Sequence, residues 1–181
     1  MNNILIVEGS DNIGKDTFIK NFISNNLHKI WQVIHYSNLK ISNERSISYS
    51  TALYSDAFET MLEYQNSFKK GLIFNRCHLG EAVYSPLYRK YDGDYIFDIE
   101  KRYRDNLDKV VLLLLTTSDC ESVFKRDDGK SFYKDAASMQ WEVDQFKKAF
   151  HTSSIKNKIM IDVAGKSPEQ IFKEFNEIYK F

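Results

Sequence analysis

The unbroken apolar run VVLLLL at positions 110–115 constrains the fold of this chain more than any other sequence feature. It predicts a strand over 109–116 that is apolar on both faces, and such a strand has to be covered on both faces. Parallel sheets provide this cover, because their connecting helices pack on either side. The run is far too short to span a bilayer, so it predicts no membrane association.

Short apolar runs alternate with longer amphipathic segments along the rest of the chain. Predicted strands cover 3–8, 30–37, 72–75, 109–116 and 158–163. Predicted helices cover 14–27, 46–71, 79–90, 95–107, 118–126, 136–152 and 168–181. Gly71 is interpreted as a helix stop and Pro168 as a helix start. The alternation predicts a three-layer α/β fold, with a five-stranded parallel sheet, helices on both faces and right-handed crossovers.

Charge and cysteine content limit the partners and the compartment. The chain has 181 residues, of which 25 are basic and 25 acidic, so no global field favours a polyanion or a membrane. A nucleic-acid partner is therefore disfavoured, although the balanced net charge is compatible with a local cluster of basic residues. Two cysteines are too few for a disulfide scaffold, and no signal peptide precedes Glu8, which favours a cytoplasmic location. One domain over 1–181 is expected, and the sequence leaves open whether it forms a homodimer.

The stretch IVEGSDNIGKDTF at 6–18 fits the phosphate-binding spacing G-x-x-x-x-G-K between a predicted strand and a predicted helix. Gly9 and Gly14 let backbone N–H groups point at phosphate oxygens, and Lys15 is placed to reach the β- and γ-phosphates. The alternative is a glycine-bearing turn with a lysine in solvent. The predicted nucleotide-binding residues of this loop are Gly9, Asp11, Asn12, Ile13, Gly14, Lys15, Asp16 and Thr17.

Asp16 departs from the motif, which has Ser or Thr after the lysine to ligate magnesium. A carboxylate is itself an oxygen ligand for Mg²⁺. Thr17 follows directly and offers a hydroxyl to the α-phosphate or to the metal. Asp16 and Thr17 are therefore the candidate metal ligands, the alternative being an inert Asp16 that faces solvent.

A second cluster of polar residues, FNRCHLGEAVYSPLYRK at 74–90, follows the third predicted strand. Loops at the carboxyl ends of parallel strands line the ligand crevice, so Asn75, Arg76 and His78 should face the phosphate loop. The planar guanidinium of Arg76 suits a pair of phosphate oxygens. Tyr84 and Tyr88 lie one helical turn apart and could form a wall against a base or a sugar.

Structural alternatives exist for several of these residues. Tyr84 and Tyr88 could belong to the core, and Glu81 could simply pair with Arg89 or with a surface lysine. His78 could be a hydrogen-bonded residue at the start of a helix. Arg76 is harder to explain in this way, because an unpaired charge directly after a buried strand would be costly.

These stretches resemble the thymidylate kinase family. IVEGSDNIGKDT is similar to its opening E-G-x-D-x-x-G-K-x-T, and NRCHLGEAVY is similar to its D-R-x-x-x-x-x-A-x-Y segment. The segments HLGE-VY and LYR are most similar to those of thymidylate kinase-like proteins encoded by bacteriophages. This resemblance would place the protein in a host cytoplasm. DVAGKSPEQIF at 162–172, with Ala164, resembles the adenine-side loop of the family.

The resemblance implies a P-loop kinase that uses ATP and Mg²⁺ to phosphorylate a nucleoside monophosphate. It implies that Lys15 and the loop hold ATP, that Arg76 holds the acceptor phosphate, and that Arg126 belongs with Lys130 to a mobile lid near 126–135. A solvated charged turn is the alternative for the two lid cations. Lys15, Arg76 and Arg126 are thus the predicted catalytic residues. The predicted substrate-binding residues are Tyr36, Arg76, His78, Glu81, Tyr84 and Arg89.

Three departures from the family pattern bear on the acceptor. Asn75 stands where the family has Asp, Asp16 replaces the metal-binding hydroxyl, and the helix over 50–70 lacks the arginine that usually contacts the acceptor phosphate. Asp16 and Asn75 could form a compensating pair near one metal ion. Besides a nucleoside monophosphate kinase, the sequence is compatible with a kinase of a nucleoside or modified-pyrimidine hydroxyl, such as 5-hydroxymethyluracil in DNA. It is also compatible with a nucleotide-binding protein without catalysis.

Overall fold

A computed structural model describes residues 3–36, 44–65, 67, 69–126, 131 and 133–181. The strands are β1 (Ile4–Glu8), β2 (Ile30–Ile34), β3 (Lys70–Asn75), β4 (Val110–Thr116) and β5 (Asn157–Asp162). The α-helices are α1 (Lys15–Asn25), α2 (Glu44–Tyr64), α3 (His78–Tyr84), α4 (Tyr95–Tyr103), α5 (Cys120–Phe124), α6 (Ala136–Thr152) and α7 (Pro168–Ile178). A π-helical turn (Ser85–Arg89) extends α3, and a 3₁₀ turn (Arg104–Asn106) extends α4.

The described strands form one parallel sheet in the order β2-β3-β1-β4-β5. The predicted fold class is therefore confirmed, with β1 at the centre of the sheet. Because all the strands run the same way, their carboxyl ends lie at one edge, where the loops after β1 and β3 are neighbours. The two polar stretches of the sequence thus meet at a single edge of the sheet.

The apolar run of β4 supplies both layers of the core, which explains why it is unbroken. Val110, Leu112 and Leu114 pack in one buried cluster with residues of α2, α3 and α4. The alternate residues of β4 pack in the other cluster with residues of α1, α5 and α7. Helix α6 contributes to both clusters, with its amino-terminal half in the second and its carboxyl-terminal half in the first.

Gly71 was interpreted from the sequence as a helix stop, and the structure corrects this. Helix α2 already ends at Tyr64, and Gly71 lies inside β3, which starts at Lys70. A β-carbon at position 71 would overlap the indole ring of Trp31 on the neighbouring strand. The glycine therefore gives space to a tryptophan from a distant part of the sequence.

No helix in the described ranges is both long and apolar enough to cross a membrane.

Candidate active site

The loop between β1 and α1 has the conformation that the glycine spacing predicted. Gly9 has φ 141°, and a β-carbon there would overlap the carbonyl oxygen of Leu115. Gly14 has φ 98°, a left-handed conformation that side chains rarely adopt, and it carries no side chain to cap α1. The first backbone N–H groups of α1 are consequently free of a side-chain cap at Gly14, and they form a natural anion site at a helix start.

The side chain of Lys15 is folded back onto this loop. Its Nζ donates to the carbonyl oxygen of Gly9 at 2.8 Å and to that of Ser10. Burial lowers the pKa of Lys15 to about 7, and the positive charge of Arg76 adds to the shift. An anion in the loop would favour the charged ammonium and would therefore raise this pKa again.

The end of β3 brings Asn75 and Arg76 to the phosphate loop, as the topology predicted. Nδ2 of Asn75 donates to Oδ1 of Asp16 at 2.6 Å. The amide oxygen of Asn75 is buried and accepts no hydrogen bond from the described residues. The hypothesis that Asp16 and Asn75 compensate for each other requires such a contact, and its functional part stays a prediction.

Arg76 has a left-handed backbone, with φ 69°, and forms an ion pair with Asp11 of the phosphate loop. Its backbone N–H donates to the carbonyl oxygen of Val7 at 2.9 Å, which joins the β3 end to β1. The guanidinium therefore lies over the loop with about a quarter of its side chain, 24%, exposed. Positive φ in a non-glycine residue is a mild strain that is frequent at functional sites.

One cleft of 390 Å³ collects these residues at the carboxyl edge of the sheet. It is lined by Asp11, Asn12, Gly14, Lys15, Asp16, Thr17, His35, Asn75, Arg76 and Ser131. Sequence reasoning did not find His35 or Ser131. Ser131 accepts a hydrogen bond from Asn12 at 3.0 Å, and His35 extends from the end of β2.

Tyr36, the predicted substrate residue at the end of β2, points away from this cleft. Its ring packs against Tyr54 and Phe74, and its hydroxyl donates to Asp56 at 3.2 Å. Neighbouring residues of an extended segment face opposite sides, so His35 enters the cleft and Tyr36 does not. The alternation of side chains could have identified His35 as the alternative to Tyr36.

His78 and Glu81 are fully buried beneath the cleft. Nε2 of His78 lies 2.7 Å from a carboxylate oxygen of Glu100. Glu81 accepts hydrogen bonds from the hydroxyls of Tyr91 at 2.6 Å and Tyr95 at 2.9 Å. Its other oxygen pairs with Arg89, as the structural alternative anticipated. Direct contact of His78, Glu81 and Arg89 with a substrate stays a prediction, because in this structure His78 pairs with Glu100 and Glu81 pairs with Arg89.

Glu8 is a functional candidate that sequence reasoning left aside. One of its carboxylate oxygens accepts the backbone N–H groups of Cys77 and Leu79, both at 2.9 Å. Glu8 thereby caps the start of α3 and fixes the segment that carries Arg76. Burial raises the pKa of this carboxyl.

Glu142 on α6 is a second residue that sequence reasoning missed. It is 2% exposed, and its Oε1 accepts the hydroxyl of Tyr84 at 2.8 Å. Burial raises the pKa of Glu142, and the charges of Asp11, Lys15 and Arg76 also act on it. The signal in the sequence is its position three residues after Met139, on the apolar face of an amphipathic helix.

A smaller cleft of 110 Å³ also borders the phosphate loop and shares Gly14 and Thr17 with the larger cleft. Arg126 lines it together with Val163, Lys166 and Pro168. Ala164, a predicted nucleotide-binding residue, belongs to the same loop and donates its N–H to Asp162 at 2.9 Å. Residues 127–130 and 132 of the predicted lid, Lys130 included, lie outside the described residues.

The described residues contain no group of three or more His, Cys, Asp or Glu that could hold a metal ion. Asp16 and Thr17 nevertheless line the larger cleft with oxygen-bearing side chains, and Asn75, whose amide oxygen is buried, lies beside Asp16. A magnesium ion held there would need phosphate or water oxygens to complete its coordination, which is how Mg²⁺ usually binds in phosphoryl-transfer sites.

No protein-family model and no curated protein sequence matches the chain. Solved structures do match it. The YorR protein of Bacillus subtilis, in complex with phosphorylated GDP, has a TM-score of 0.66 at 14% identity, over 95% of this chain and 92% of that chain. Thymidylate kinase from Candida albicans has a TM-score of 0.64 at 15% identity, over 98% of this chain and 90% of that one.

Polyphosphate kinase 2 from Arthrobacter aurescens TC1 has a TM-score of 0.54 at 17% identity. That match covers 93% of this chain and 64% of the other. At such identities the likeness concerns the fold and not the chemistry. The chain has the fold of the P-loop kinases.

Proposed function

We propose that this protein is a P-loop kinase that transfers the γ-phosphoryl group of ATP to a nucleoside monophosphate. The observation that carries the proposal is the position of two cations that line one cleft, Lys15 at the start of α1 and Arg76 directly after β3. Phosphoryl transfer needs alignment and positive charge around the transferred group more than covalent help from the protein. A cation on the donor side and a forked cation on the acceptor side meet this need.

The donor nucleotide fits the two clefts that share Gly14 and Thr17. In this arrangement the phosphates lie on the N–H groups of the loop, and the base lies toward Val163 and Pro168. Arg126, in the smaller cleft, is then close to the donor phosphates. The names of the neighbours support a nucleotide or phosphate substrate, since they include a nucleotide complex and two kinases.

Magnesium fits the wall of the cleft formed by Asp16, Thr17 and Asn75. The amide oxygen of Asn75 is buried without a partner among the described residues, and a metal ligand is one use for such an oxygen. Mg²⁺ would neutralise charge on the phosphates. The protein's own part is to present hard oxygen atoms beside Lys15.

One observation favours the second candidate, a kinase with a hydroxyl acceptor. Asp11 already pairs with Arg76, so the guanidinium has an anionic partner without an acceptor phosphate. A carboxylate in the cleft also suits a hydroxyl group, because it accepts the hydroxyl hydrogen bond. The two candidates therefore differ in whether Arg76 binds the acceptor.

A substrate panel tests the proposal. ATP and magnesium are incubated with each ribo- and deoxynucleoside monophosphate, each nucleoside and a single-stranded oligonucleotide, and both ADP and the phosphorylated product are measured. We expect product from at least one monophosphate, and a loss of turnover of about 10²-fold or more in Lys15→Ala, the scale for one charge-stabilising donor. Product from nucleosides alone would select the second candidate, and normal turnover in Lys15→Ala would overturn the assignment.

A further inference from the structure

An aromatic cleft of 400 Å³ opens between the π-helical turn and the start of α6. We call it the aromatic cleft, and its main walls are Leu87, Tyr88, Tyr133 and Trp141, with Glu142 also lining it. Tyr88 is 41% and Trp141 44% exposed, whereas Glu142 is 2% exposed. Large exposed aromatic side chains around a buried carboxylate are a typical arrangement for a ligand site.

The aromatic cleft lies near the 390 Å³ cleft that contains Lys15 and Arg76, here called the phosphate cleft. Glu142 lines the aromatic cleft, and it is close enough to Lys15 and Arg76 for their charges to act on its carboxyl group. The hydroxyl of Tyr133 donates to the carbonyl oxygen of Asp11 in the phosphate loop at 3.0 Å. The ring of Tyr88 lies 5.9 Å from that of Tyr84, whose hydroxyl is bonded to Glu142. The two clefts are therefore neighbours, joined by residues that contact both the phosphate loop and the aromatic cleft.

We propose that the aromatic cleft binds the base of the acceptor nucleotide, and that Glu142 selects a base with an exocyclic amino group. Nucleotide bases stack on tyrosine and tryptophan rings, and stacking alone does not distinguish one base from another. A carboxylate accepts hydrogen bonds from an amino group and cannot donate one to a carbonyl group when it is ionised. Adenine, cytosine and guanine carry that amino group, whereas thymine and uracil do not.

The smaller cleft beside Val163 and Pro168 provides a separate place for the donor base. It shares Gly14 and Thr17 with the phosphate cleft and no lining residue with the aromatic cleft. A donor in that cleft and an acceptor in the aromatic cleft would approach each other with their phosphates between Lys15 and Arg76. This is the arrangement that transfer in a line requires.

A protein partner is a weaker explanation of the exposed aromatic residues. The aromatic cleft is concave, and Glu142 within it is a single buried carboxylate close to a cluster of cations. Protein interfaces are depleted of charged residues at their buried centre. The concave shape and the neighbouring phosphate cleft instead match a small ligand.

The inference rests on the proposed function, and binding without turnover separates the two. Tryptophan fluorescence of the whole protein is measured during titration with AMP, CMP, GMP and TMP, without ATP. We expect an amino-bearing monophosphate to quench the emission of Trp141, and we expect Trp141→Phe to lose the quenching while keeping the affinity. Trp141→Ala should weaken binding by at least about 5-fold, the low end for one stacked base.

Glu142→Gln keeps an oxygen that can accept the Tyr84 hydroxyl, so this variant should fold. It should weaken the binding of amino-bearing monophosphates by about 10-fold or more, the scale of a hydrogen bond to a charged group, and leave the binding of TMP unchanged. Ile178→Ala, which removes an exposed apolar side chain on α7, is the control and should change neither affinity.

Equal affinities of all four monophosphates for wild-type protein and Glu142→Gln would overturn the role of Glu142. An unchanged acceptor KM in Trp141→Ala, in an enzyme that does phosphorylate monophosphates, would overturn the aromatic cleft and leave the proposed function intact. Specific binding of an amino-bearing monophosphate without any transfer would support the aromatic cleft and reject the proposed function. Capture of a protein by the wild type that Trp141→Ala abolishes, with no monophosphate binding, would overturn the inference in favour of a partner surface.

Discussion

Removal of the Arg76 side chain should raise the acceptor KM much more than it lowers turnover. The guanidinium is placed to hold the acceptor phosphate before and during transfer, and lost uniform binding of this kind appears in KM. Arg76→Ala leaves a β-carbon at the left-handed position, so the substitution does not change the strain of the backbone. The substitution releases the ion pair with Asp11 and removes the positive charge that helps to lower the pKa of Lys15.

The size of the effect follows from the contacts and the burial. A hydrogen bond to a charged group contributes about 1.5–3 kcal/mol, or about 10- to 150-fold in affinity. About a quarter of the Arg76 side chain, 24%, is exposed, so water can replace part of the interaction. The ion pair with Asp11 must also be given up when phosphate binds. We therefore expect the low end, an increase in acceptor KM of about 10- to 30-fold, since partly exposed charges are screened.

Steady-state kinetics with the acceptor as the varied substrate measure this change, at saturating ATP. Arg76→Lys keeps the positive charge but loses the forked guanidinium. Its acceptor KM should therefore lie between those of the wild type and Arg76→Ala. Arg102→Ala, which removes an exposed arginine on α4, is the matched control and should behave as wild type. A flat acceptor KM in Arg76→Ala, with turnover depressed, would refute the reasoning and indicate a hydroxyl acceptor.

Three further predictions follow from single contacts. Asp16→Ser should lose activity that the double change Asp16→Ser with Asn75→Asp recovers, because the two side chains share one hydrogen bond; strict additivity in the double-mutant cycle would reject compensation. At pH 8 the binding of ATP should take up protons, because the pKa of Lys15 is about 7 in the free protein and bound phosphates raise it. Calorimetry in two buffers of different ionisation enthalpy measures the uptake, which Lys15→Met should remove. Proton uptake that persists in Lys15→Met would show that a group other than Lys15 binds the protons. Gly71→Ala should destabilise the fold by about 1–3 kcal/mol in urea unfolding, because the new methyl group meets the ring of Trp31. In a Trp31→Leu background the same change should cost less, and an equal cost would show that the ring is not the reason.

Structural features that depend on residues close together in the chain could be predicted from the sequence. The run at 110–115 gave a parallel strand with both faces covered, and its alternate residues do enter two separate clusters. Gly9 and Gly14 both have positive φ, the backbone freedom for which the spacing of the motif requires glycine. The ends of β1 and β3 meet because parallel strands share an edge, which needs no knowledge of side-chain packing.

Features that depend on distant contacts were not readable. Gly71 looks like a helix stop, and only the ring of Trp31, forty positions earlier in the chain, reveals its place in a strand. Alternation places His35 and Tyr36 on opposite faces, and only the packing of Tyr36 against Tyr54 and Phe74 shows that His35 is the one that lines the cleft. The position of Glu142 on the apolar face of α6 indicates burial, but its partner Tyr84 lies on another helix and could not be predicted from that position.

The charged groups of the phosphate cleft all have partners within the protein. Lys15 is bound by the carbonyl groups of its own loop, Arg76 by Asp11, and Asp16 by Asn75. If phosphate binds at Arg76 as proposed, it competes with Asp11 for the guanidinium, and Asp11 can re-form the ion pair when the phosphate departs. Such internal competitors would lower affinity and hasten dissociation. In kinases whose rate is limited by product release, such competitors favour turnover over tight binding.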